Sequence, residues 1–163
     1  LYSLSFSNVK TYLFVFLFVA GNIALPQLCH LVPMGGPTLL PIYFFTLIAA
    51  YKFGFRVGLL TALLSPVINH LLFGMPAAAA LPVLLIKSGL LAGAAAFAAR
   101  YTKEISLVAL LGAILAYQVI GTAFEWAICG DFFLAIQDCR IGIPGMLIQW
   151  FGGYALLKAI SKL

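Results

Sequence analysis

Four polar residues, Lys87, Glu125, Asn69 and His70, stand inside or beside long uncharged stretches of this sequence. An ammonium and a carboxylate in an apolar medium can neutralise each other, or they can offer a donor and an acceptor to a bound molecule. The adjacent amide and imidazole of Asn69 and His70 add further hydrogen-bonding capacity. Gln118 and His30 extend the candidate binding set, with Tyr117 and Gln149 able to face the same interior. For Gln118, Tyr117 and Gln149, a satisfied bond between helices is the favoured reading. Lys87 carries the largest cost, about 2.5–3.5 kcal/mol on insertion scales if uncompensated at a bilayer centre. Its ammonium can climb on its flexible stem, and Glu125 is the expected counter-charge.

Two other chemistries use residues from the same side of the chain. Asn69–His70, Glu125, Asp131 and Asp138 could serve as general acid and base at a membrane interface, which is the pattern of an intramembrane enzyme. Against that, no nucleophile–base pair and no repeated acidic motif is present. Cys129 and Cys139 bracket a loop and could form a disulfide on an oxidising face. Thiolate and imidazole from Cys29, His30, His70, Cys129 and Cys139, with nearby Met34, would alternatively suit a transition metal, haem or a corrinoid. Unlinked thiols are the third option, and spacing does not decide among them. No resident metal or cofactor is expected; such groups stay open only as a ligand carried by the protein. Motifs of soluble chemistry are missing. Ile86 stands before Lys87–Ser88 where a phosphate loop needs glycine, and no H-E-x-x-H, G-x-S-x-G or paired C-x-x-C occurs. No catalytic residue is therefore assigned.

The elements that must position these groups follow from composition. Of 163 residues, 64% are hydrophobic and 8% charged, against roughly a quarter charged in an ordinary soluble domain. Six apolar segments run approximately over 11–25, 37–52, 57–73, 77–99, 105–128 and 141–160. The last three reach the roughly 20 residues that a spanning helix needs, whereas the first two look short. No period-2 alternation appears, so a barrel is not expected. The expected fold is an all-α integral membrane protein, a compact bundle of six transmembrane helices in one domain over residues 1–163. Segment one resembles a signal peptide in being apolar after a lysine. With no A-x-A-like site before a soluble domain, it is read as a retained span.

Basic residues orient the bundle. With a cytoplasmic N-terminus, the inner side collects Lys10, Lys52, Arg56, Arg100, Lys103, Lys158 and Lys162, and the outer connections hold only Arg140. That bias over short loops predicts both termini inside. It also accounts for the net charge of +5 without nucleic acid as a partner. Connections 26–36 and 129–140 are then outside and the longest, so the working surface should face outward. An outward cavity roofed by 26–36, with Gly35–Gly36 as its hinge, is the expected site.

Small residues mark where helices approach. Ala20 and Ala24 form an A-x-x-x-A face on segment one, and Gly54/Gly58 and Gly89/Gly93 form G-x-x-x-G pairs. Close packing of such residues drives helix association in lipid. The glycine pairs read as packing inside the bundle; for the alanines a contact with another molecule is equally open.

With these features the chain resembles the substrate-binding S component of an energy-coupling factor (ECF) transporter. The resemblance lies in six helices, both termini inside and the Ala20/Ala24 pattern. It extends to Pro33-Met34-Gly35-Gly36-Pro37 leading into Leu40-Pro41-Ile42-Tyr43, and to the turn Tyr51-Lys52-Phe53-Gly54-Phe55-Arg56-Val57-Gly58. Leu64-Ser65-Pro66 and Phe73-Gly74-Met75-Pro76 complete it. It covers most of residues 11–100; beyond that only helix count and loop placement agree. The resemblance implies a multi-pass protein of a bacterial or archaeal cytoplasmic membrane that is not itself an enzyme. It would capture a small vitamin-like molecule from outside and dock through Ala20 and Ala24 on a transmembrane coupling protein driven by two cytoplasmic ATPases. The family's ligand residues vary with substrate and do not carry over. The rival classes are the intramembrane enzyme and a structural membrane subunit anchored by its aromatics.

Overall fold

The structure, a computed structural model, describes residues 1–162. Those residues are helical nearly throughout, with no strand among them. Four helices are long and apolar enough to cross a membrane: α1 (Val9–Cys29), α4 (Phe55–Phe73), α5 (Leu81–Thr102) and α6 (Leu107–Cys129). Short pieces fill the rest: α2 (Gly35–Leu39), α3 (Phe44–Phe53), α7 (Phe132–Ala135), α8 (Gln137–Ile141), α9 (Ile143–Leu147) and α10 (Gly153–Ala159). This is a multi-pass helical membrane protein. Leu13, Phe16 and Leu17 on α1 are exposed, as are Val119 and Phe124 on α6. Water would penalise that apolar surface, whereas lipid accepts it.

Two of the six apolar segments depart from single long helices. Segment one is longer than its apolar core suggested, because α1 continues through Pro26 to Cys29. A proline near a helix end removes one backbone bond without ending the rod. The second segment is divided. Leu40, at φ 46, separates α2 from a 3-10 turn at Pro41–Tyr43 that feeds α3. The last segment is continuously helical from Ile143 to Lys162 but changes register at a π stretch, Ile148–Gly152, between α9 and α10. At about 1.5 Å per residue that run is about 30 Å long.

Among the short pieces, α3 is the most enclosed. Every residue of α3 from Thr46 to Phe53 is buried, because α1, α4, α5 and α10 all pack against it. Gly58 makes this closure with α4: a Cβ there would collide with the Ala50 side chain and backbone. Gly58 thus serves packing within the bundle, whereas Gly54 is the turn residue between α3 and α4 at φ 95. Gly89 and Gly93 serve no such packing, since an added Cβ would meet nothing at Gly89 and only Phe55 at 3.9 Å at Gly93.

Local chemistry sets the ends. Asn8 accepts from Lys10 N–H at 3.0 Å to start α1, and Ser106 caps α6 through Ala109 N–H at 3.3 Å. Gly74 and Gly130 close α4 and α6 at φ 67 and 70, the left-handed region that glycine enters without a Cβ penalty. One end of the bundle gathers the tight connections: Tyr2 N–H donates to Lys52 O, Tyr51 OH to Glu104 O, and Lys52 Nζ to Ser161 O. The other end holds His30, Gly74, Gly130 and the α7–α8 connection.

That second end differs from the expected pair of open loops. Residues 129–140 are largely helical, because Asp131 accepts from Phe133 and Leu134 N–H at 2.9 and 3.2 Å and starts α7. Gly35 is not a free hinge. It is buried, and a Cβ there would strike the Cys29 carbonyl, so it lets two backbones touch.

Candidate functional site

Lys87 lies in the first half of α5 and is fully buried. Its ammonium rises to meet two carboxylates. Asp138 Oδ2 accepts from Nζ at 2.6 Å, and Glu125 Oε2 lies 2.5 Å away. Both are short, charge-assisted contacts from the ammonium. α6 supplies Glu125, and α8 folds back to supply Asp138. Gly121, one helical turn before Glu125, clears the path: a Cβ there would meet Lys87 Cγ at 2.7 Å. The Lys87–Glu125 pair was legible in the sequence, whereas Asp138 as second partner was not. Its only local signal was the Asp131 cap, which turns the chain back toward the bundle.

Above this triad is a cavity of about 570 Å³, within the range of small-molecule sites. Its polar wall is made by Glu125, Asp138, Asn69, Tyr43, Gln27 and His30, and its apolar wall includes Leu40, Pro41, Pro76, Val83 and Leu84. The end of α1 and the start of α2 close one side, and residues 75–80 close another. Lys87 is not in the wall; it acts on the cavity through its carboxylate partners.

Two buried polar atoms at this wall lack partners. Tyr43 OH and Asn69 Oδ1 have none, although the two residues are only 1% and 2% exposed. Such orphans each cost about 1–3 kcal/mol. The rest of Asn69 is fixed: Nδ2 donates to Asn22 O at 2.9 Å and to Ser65 O at 3.0 Å. Asn22 in turn donates to Thr46 Oγ1 and Ser65 Oγ at 3.1 and 3.0 Å and accepts from Phe45 N–H at 3.2 Å. This network ties α1, α3 and α4 together and leaves one amide oxygen of Asn69 without a donor. Tyr43 was missed in the sequence because it reads as one more aromatic in an apolar run.

The remaining candidates are placed elsewhere. His70 Nδ1 bonds Pro76 O at 2.7 Å, and the residue is not in the cavity wall. Gln118 is buried beneath the site, donating to Tyr117 OH at 3.1 Å; Tyr117 OH donates to Gln149 Oε1 at 3.0 Å, and Gln149 Nε2 to Leu40 O at 3.5 Å. That chain joins α6, the last helical run and the strained Leu40, as interhelical bonding would. Cys29, Cys129 and Cys139 are free thiols, which corrects the disulfide alternative. Cys139 is drawn inward to Gln118 Oε1 at 3.7 Å and Thr122 at 3.4 Å, while Cys129 is exposed at the end of α6. Among the described residues no three of His, Cys, Asp and Glu converge as a metal site would require. Asp131 is committed to its cap and Asp138 to Lys87, so the acid–base set is not assembled as one group.

Ala20 and Ala24 are both exposed on α1. They border a second, apolar groove of about 750 Å³ with Gly21, Leu17, Phe45 and Leu156. Gly21 takes the inward position, where a Cβ would meet the Phe45 ring at 2.9 Å.

Comparison with known protein families, with curated proteins and with solved structures finds no match to this chain. What the fold and composition define is a helical, multi-pass membrane protein.

Proposed function

We propose that the protein is the membrane-embedded substrate-capture subunit of an ECF-type importer in a bacterial or archaeal cytoplasmic membrane. In this reading six segments cross the bilayer. The Pro41–Phe53 run and the Ile143–Lys162 run join the four long helices, and both termini lie inside. The cavity then opens to the outside, takes a small vitamin-like molecule, and delivers it through a transmembrane coupling protein energised by two cytoplasmic ATPases. Ala20 and Ala24 dock on the coupling protein. No chemistry on the captured molecule is assigned.

The observation that carries this reading is the half-enclosed cavity whose wall holds unpartnered buried groups, Tyr43 OH and Asn69 Oδ1, beside Glu125 and Asp138. A structural subunit has no need for such groups, and an apolar cavity with a few convergent polar groups is the usual form of a ligand site. The basic residues cluster at the opposite end, which the positive-inside rule assigns to the cytoplasm. The apolar groove beside the exposed Ala20 and Ala24 gives a helix room for close approach at those two positions.

Affinity purification from the native membrane tests it. The tagged chain is expected to bring down one membrane protein and ATPase subunits, and to lose them in Ala20→Leu and Ala24→Leu. Recovery of the chain alone from mild detergent, with uptake unaffected by both substitutions, would contradict the reading.

A further inference from the structure

We infer that the cavity takes a small, flat organic cation whose positive charge is delocalised over N–H donors, such as an amidine or a protonated amino-heterocycle. The inference deepens the capture reading and rests on it. Three observations carry it. The first is formal charge: one ammonium, Lys87, faces two carboxylates, Glu125 and Asp138. Both carboxylates line the cavity while Lys87 sits behind them. A surplus carboxylate at a partly buried site is stabilised by a second cation. Within the chain the nearby candidates fall short. Arg140 is exposed and forms no ion pair with Asp138, and His70 is bonded to Pro76 O. His30 borders the cavity and is itself exposed.

The second observation is the sign of the vacant hydrogen bonds. Asn69 Oδ1 is an acceptor without a donor. It therefore asks for an N–H or O–H group on the occupant. In the cavity wall, Tyr43 OH is an unpartnered group that can donate, so the occupant also carries an acceptor on that side. The third is the lining. Leu40, Pro41, Pro76, Val83 and Leu84 give the cavity an apolar wall beside the carboxylates, which suits a ring better than an extended polar chain. A carboxylate recognises an amidine-like fork through paired, charge-assisted bonds.

Three probes of nearly equal shape test this on the full-length chain purified alone in detergent: benzamidine, benzamide and benzoate, titrated calorimetrically. Benzamidine is expected to bind saturably, benzamide at least about tenfold more weakly, and benzoate not at all. Glu125→Gln and Asp138→Asn should each reduce the benzamidine preference at least about tenfold, while leaving Lys87 one carboxylate partner so that the fold is retained. Should either variant fail to fold, the order of the three probes on the unmutated protein still decides. No saturable benzamidine binding, equal binding of all three, or preference for benzoate overturns the inference. So does unchanged benzamidine affinity in both folded variants. Because no coupling protein or ATPase is present, these outcomes are separate from failure of the transport reading, which the Ala20 and Ala24 substitutions address.

Discussion

At the scale of single residues, Lys87 is a group whose cost is met by design of its surroundings. Its burial would be prohibitive alone, and two carboxylates and a glycine compensate for it. Removing one partner of a buried ion pair costs about 3–5 kcal/mol because the rest is left uncompensated. Lys87→Met therefore should unfold at distinctly lower temperature than the parent in detergent. Glu125→Gln should lose less, since Asp138 still holds the ammonium. Equal melting temperatures for Lys87→Met and the parent would remove the triad from the stability of the bundle. Gly121→Val tests the same geometry from the other side. Its added atoms meet the Lys87 stem, and overpacking of this kind costs about 1–3 kcal/mol; a variant as stable as the parent would show that the stem has room to move. The Lys87–Glu125 pair could be read from the sequence because both charges sit in apolar runs and must find partners. Asp138 could not, because hydropathy marks residues 129–140 as a connection and says nothing of where α7 and α8 fold back.

Among elements, α1 and α3 divide the labour. The α3 helix is buried all round, which is why its run looked too short for an exposed span and is nonetheless central. Hydropathy alone cannot tell a short buried helix from a truncated one. The π stretch at Ile148–Gly152 and the left-handed Leu40 were equally invisible, since each is settled by tertiary packing around Gln149 and the cavity. The α1 helix, by contrast, keeps one face for the bundle and another free. Gly21 and Asn22 turn inward, and Ala20 and Ala24 stay exposed. If that free face receives a coupling helix, Ala20→Leu and Ala24→Leu should abolish uptake in membrane vesicles while the solitary protein keeps its ligand affinity. Uptake that survives both changes would assign the groove to lipid.

For the whole molecule, the all-helical, multi-pass character and the concentration of basic residues at one end were legible because lipid imposes strict rules on composition. The polar site was less so. Asn69 and Glu125 reach the cavity, but His70 turns to Pro76 and Gln118 lies beneath it, since helix rotation about its axis is set by packing that the sequence does not display. Topology is testable in a background with Cys29, Cys129 and Cys139 replaced by serine. A single cysteine at Val32 or Phe133 should react with a membrane-impermeant maleimide from outside the cell, and one at Arg56 should not; the reverse pattern would invert the bundle. The central claim is that the cavity above Lys87 holds a captured small molecule, and native mass spectrometry of the purified protein addresses it directly. We predict a single non-lipid adduct at one copy per chain, lost in Glu125→Gln and retained in Ala24→Leu. A spectrum from native membranes that carries only lipid and detergent, or an adduct indifferent to Glu125, would contradict it.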